Sequence, residues 1–142
     1  MGPYTIDDYQ SLIIEITDIE IEASSIAESR QILTELKKRE EILIELKKII
    51  SKDIRIFESE YLNQHRRIIQ KYSNKNTNKG ILNMLNRGEP RKKRTKEIKK
   101  LKKEKESHLE PYYDLKYQID HLLEQIREAK IHQSEYLKNS FR

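Results

Sequence analysis

The sequence predicts an all-α protein: a long antiparallel helical hairpin, coiled-coil-like, with a shorter N-terminal helix. Three observations carry this. Apolar residues recur at steps of three and four along most of the chain, the period of a helix with one buried stripe. Only three Gly and three Pro interrupt 142 residues. One polar stretch separates two periodic segments of almost equal length. Two helices alone bury little surface, so the hairpin is expected to complete its core as a three-helix bundle or as an oligomeric coiled coil. The competing arrangement is one continuous helix over residues 6–72 that dimerises in parallel.

Composition agrees. Hydrophobic residues make up 35% and charged residues 37%. That balance is too polar for a thick globular core and suits helices that each bury one narrow stripe. The length suits a single helical domain spanning 1–142.

The first helix is expected over 6–23. Thr5 and Asp8 stand three apart, the spacing at which a hydroxyl and a carboxylate cap a helix start reciprocally. Tyr9, Leu12, Ile16, Ile19, Ala23 and Ile26 continue with helical steps. Ile14, Ile16, Ile19 and Ile21 also alternate as a strand would, but their surroundings favour helix. Ser25 and Glu28 repeat the capping spacing, so a bend or new start falls near Ser24-Ser25. The second helix is placed at 26–72. Its stripe is Leu33, Leu36, Leu43, Ile50, Ile54, Phe57, Tyr61 and Ile68, with Leu36, Leu43, Ile50 and Phe57 seven apart. Around Arg30, Leu33 and Leu36 two three-residue steps adjoin, which implies a local change of register.

Residues 73–90 are expected to be a loop, because 73–80 are all turn formers or polar. Ile81-Leu82 and Met84-Leu85 suggest a short helical turn ended by Gly88 and Pro90. The third helix is placed at 91–138. Its seam is Arg94, Ile98, Leu101, Lys105, His108, Tyr112, Leu115, Ile119, Leu122, Ile126, Ala129, Gln133 and Tyr136. Pro111 interrupts it without disturbing the phase, which predicts a kink and not a change of direction. The two long helices would each run about 70 Å at 1.5 Å per residue.

Charge is the feature with functional content. Residues 1–29 hold seven acids and no Lys or Arg. Residues 91–105 hold ten Lys or Arg and two Glu, a net of +8. Folding the hairpin would gather residues 65–105 at one end, with sixteen Lys or Arg against three acids. Lys92, Lys96, Lys99 and Lys103 form one like-charged stripe, with Lys93 and Lys100 beside it. Like charges at helical spacing destabilise a helix by a few tenths of a kcal/mol per pair. The candidate polyanion-binding residues are therefore Arg66, Arg67, Arg91, Lys92, Lys93, Arg94, Lys96, Lys99, Lys100, Lys102 and Lys103. Solvated faces of this kind also occur simply for solubility. Lysines without a base-reading motif would grip a nucleic-acid backbone, not bases. The other candidate for that basic face is the acidic 1–29 segment of a second molecule.

Several classes find no support. There is no Cys, hence no disulfide, zinc-thiolate site or thiol nucleophile. No apolar run approaches the ~20 residues of a membrane span. The first residues carry no charged-then-apolar leader pattern, so a soluble, cytoplasmic protein is expected. No phosphate-binding loop, nucleophile elbow or metalloprotease motif occurs. Glu104/His108 and Glu128/His132 have i, i+4 spacing, which reads as surface pairing, with His108 on the seam as a polar register residue. The expectation is a protein without catalytic residues, metal, cofactor or small-molecule substrate. It would act as a coiled-coil adaptor or assembly protein that binds protein partners or itself. The alternative is a nucleic-acid-binding accessory protein.

Overall fold

A computed structural model describes residues 4–17, 25–76 and 88–140. Three helices account for nearly all of them: α1 (Ile6–Thr17), α2 (Ile26–Asn76) and α3 (Gly88–Ser140). Among the described residues there is no strand, and α2 and α3 pack as in a helical bundle.

The helix starts follow from local chemistry. The Thr5 backbone N–H donates to Asp8 Oδ2 at 2.9 Å, and the Asp8 N–H donates to Thr5 Oγ1 at 3.2 Å. Two of the four N–H groups that a helix start leaves unbonded are thus satisfied. Ser25 caps α2, its Oγ accepting from the Glu28 N–H at 3.2 Å. The alternation of isoleucines at 14 and 16 lies within a helix: Ile16 is buried and Ile14 is 70% exposed. Residues 18–23, expected to prolong α1, lie outside the described residues.

The stretch expected as a loop is partly helical. α2 runs one turn beyond Tyr72, to Asn76, and α3 begins at Gly88. Pro90 therefore sits in the first turn of α3, where its missing N–H would have had no helical partner anyway. The short turn expected at 81–85 lies outside the described residues. At the far end α3 reaches Ser140. It passes through Pro111 without a break. The carbonyl deprived of a donor there belongs to Ser107, an exposed residue, so water can satisfy it.

The chain divides into two compact units. One combines Met1–Lys52 with Tyr112–Arg142 and the other is Asp53–Pro111. In the first, Tyr9, Ile13 and Ile16 of α1 are buried, with Leu36, Leu43, Leu46 and Ile50 of α2 and Tyr112, Leu115 and Ile119 of α3. Each such side chain contributes roughly 1.5–3 kcal/mol on leaving water. A hydrogen bond of 2.7 Å from Ser29 Oγ to Gln133 Oε1 lies fully inside, and Lys130 and Lys47 reach Glu40 and Asp120 at 3.2 and 2.6 Å. Arg39 extends from α2 to the end of α1. Its Nη1 donates to the Glu15 carbonyl at 3.1 Å and to the Ile16 carbonyl. Both carbonyls belong to the last described turn of α1.

In the second unit Ile54, Phe57, Tyr72, Leu101 and Leu109 are buried. His108 is half-buried, its ring 4.4 Å from that of Phe57, and its Nδ1 lies 3.0 Å from the Tyr61 hydroxyl. Leu109 does not belong to the anticipated seam. Nor is Arg30 the residue that leads into Leu36. Ser29 is buried and Arg30 exposed, so the seven-residue step from Ser29 to Leu36 replaces the register change expected there.

Candidate polyanion-binding face

The N-terminal half of α3, within the unit Asp53–Pro111, is built almost wholly of strong helix formers, Lys, Arg, Glu and Leu. Its inner side is defined by the buried Leu101 and Leu109 and the half-buried Glu97, Ile98, Lys105 and His108. Glu97 holds Lys71 of α2 at 3.3 Å. Beside it Tyr72 is buried, and burial pushes its phenol up from the ordinary value. The hydrogen bond to the Glu97 carboxylate and that group's charge act the same way, while Lys71 opposes them. Tyr61 is likewise raised, first by burial and then by the charges of Glu104 and Glu60.

Fixing that side fixes the other. Lys92, Lys96, Lys99 and Lys103 follow at steps of four, three and four, and all are exposed. Eleven residues at 1.5 Å each put about 16 Å between the first and the last. With Arg91, Thr95 and Lys100 they line an open surface groove of about 650 Å³. Among the described residues no carboxylate forms an ion pair with Lys92, Lys96, Lys99, Lys100 or Lys103. The unit as a whole holds seventeen Lys or Arg against eight acids, +9, and the remainder of the chain is −4, together the +5 of the protein.

Six of the eleven candidate residues, Arg91, Lys92, Lys96, Lys99, Lys100 and Lys103, thus line one groove. Lys93 and Lys102 are exposed on α3 outside it, and Arg94 is half-buried on the seam side. Arg66 and Arg67 are exposed on α2. As consecutive helical residues they diverge by about 100° around the helix axis. Thr95 carries no charge, so the pattern of Lys and Arg does not mark it. Its signal is spacing, three residues after Lys92 and four before Lys99.

Elsewhere the described residues contain no group of three or more His, Asp or Glu placed to hold a metal ion. No described helix is long and apolar enough to cross a membrane. The chain matches no protein-family model, no curated protein and no solved structure.

Proposed function

We propose that this chain is a non-enzymatic helical adaptor or assembly protein of the cytoplasm, folded as an antiparallel, coiled-coil-like hairpin and joining first of all to a second copy of itself. The hairpin is supported by the order of the polar contacts between α2 and α3. Partners pair as 29/133, 40/130 and 47/120 in one unit and as 61/108 and 71/97 in the other, the second number falling as the first rises.

The observation that carries the assembly reading is apolar surface left over once the core is complete. In the unit containing α1, each helix presents an isoleucine that is half or more exposed: Ile14 at 70%, Ile42 at 50% and Ile131 at 54%. Ile42 also stands seven residues before the half-buried Ile49, the spacing of a second seam beside the first. A second copy would bury what a lone chain leaves in water.

Light scattering on the purified chain tests this. The expected mass is a multiple of 17.1 kDa. Ile42→Lys with Ile131→Lys should return it to the single-chain value while helicity stays unchanged. A single-chain mass for the unaltered protein at every concentration would rule the second copy out.

A further inference from the structure

We propose that the outward lysine face of α3, formed by Lys92, Lys96, Lys99 and Lys103 with Arg91 and Lys100 at its edges, binds the phosphate backbone of double-stranded nucleic acid without reading its sequence. The inference is independent of self-association, because it rests on the unit Asp53–Pro111 alone.

Charge complementarity selects the partner. Four ammonium groups project from one face within about 16 Å, and none is neutralised by a described carboxylate. The nearby acid Glu97 turns inward, held by Lys71. No described carboxylate therefore pairs with the lysines of this face. A helix that packs through its other side gains nothing in stability from such a row, since like charges at i, i+3 and i, i+4 repel. A polyanion reverses that repulsion and releases its condensed counterions as well.

The residue types narrow the choice further. Lysine is a compact, strongly hydrated point charge on a flexible stem, suited to phosphate oxygens and without the planar fork that fixes an arginine against a base edge. Among the described residues no aromatic side chain lines the groove, so none of them offers the stacking platform that single strands use. A duplex turns its phosphates outward and hides its bases, which matches a face with charge and no rings.

The experiment is fluorescence anisotropy with the full chain and a labelled 30-base-pair DNA of arbitrary sequence, across a salt series. The expected plot of log K against log salt is linear. The four lysines should contribute a slope of about −3.6, at about −0.9 per neutralised phosphate. Changing Lys92, Lys96, Lys99 and Lys103 to Gln together should remove that much slope and weaken binding more than tenfold at low salt. A second variant removes the same charge from the other unit: Lys37→Gln, Lys38→Gln, Lys48→Gln and Lys52→Gln. It should retain the slope. Circular dichroism confirms that both remain helical. Undetectable binding at low salt would overturn the proposal, as would equal losses in the two variants. Tighter binding of a single strand of the same length would overturn the duplex assignment. Equal competition by polyglutamate at matched charge would assign the face to an acidic protein instead.

Discussion

Ser29 and Gln133 show how a polar pair behaves inside a helical seam. Both are almost wholly buried, and the Ser29 hydroxyl donates to Gln133 Oε1 at 2.7 Å. Removing one partner strips a buried acceptor of a donor, whereas replacing both removes the polar demand altogether. Ser29→Ala is therefore expected to destabilise by about 1–3 kcal/mol. Adding Gln133→Leu should recover much of that loss, which urea melts of the two variants would measure. Tyr61 and Tyr72 give a second residue-scale expectation. Both phenols are raised above 10.0, so the folded chain favours their protonated form. That contribution is complete below pH 10 and disappears as pH climbs through the raised values. Tyr72→Phe and Tyr61→Phe should flatten the alkaline loss of stability in melts between pH 8 and 11, and an unchanged alkaline limb would contradict the assignment. Some of these details are legible in the sequence and some are not. Thr5/Asp8 and Ser25/Glu28 are readable because capping is local, three residues apart. Ser29 is not marked by the apolar pattern because its side chain is a hydroxyl, although it stands seven residues before Leu36. The reach of Arg39 to the end of α1 crosses more than twenty residues of chain, and no local rule encodes it.

At the scale of the element, α3 is the most instructive. Its seam is readable because every step from Ile98 to Gln133 is three or four, and Leu101, Tyr112, Leu115, Ile119 and Gln133 are buried accordingly. Leu109 is not readable, because it adjoins His108 on the seam and is buried all the same. Pro111 lies inside the helix. A proline there removes one backbone hydrogen bond and crowds the preceding turn. Pro111→Ala is expected to raise the melting temperature, with about 3 kcal/mol as the upper limit of the gain. An unchanged or lower midpoint would mean that the proline ring's packing outweighs the bond it forfeits. The candidate face is legible in the same partial way. The excess of Lys and Arg over 91–105 is plain in the sequence. Which of those side chains share one side follows only once the buried side of α3 is known, and that knowledge separates Arg94 and the two α2 arginines from the lysine row.

For the whole molecule the governing quantity is the division of charge, +9 on the unit Asp53–Pro111 and −4 on the remainder. Charges of one sign in a small volume repel, and salt screens that repulsion over about 10 Å at 0.1 M. Added sodium chloride should therefore raise the thermal midpoint, and the Lys92/Lys96/Lys99/Lys103→Gln variant should show a smaller rise. Melts at 20 and 300 mM salt decide between this and a stability dominated by surface ion pairs, which salt would weaken.

The cross-helix contacts have a consequence for the order of folding. Their partners lie 26, 47, 73, 90 and 104 residues apart along the chain, from Lys71/Glu97 through Tyr61/His108, Lys47/Asp120 and Glu40/Lys130 to Ser29/Gln133. Closing a flexible loop becomes harder with its length, so each contact is easiest to make once the shorter one before it exists. Loop-closure cost thus favours Lys71/Glu97 before Tyr61/His108 in the unit Asp53–Pro111, and Lys47/Asp120 before Glu40/Lys130 and Ser29/Gln133 in the other.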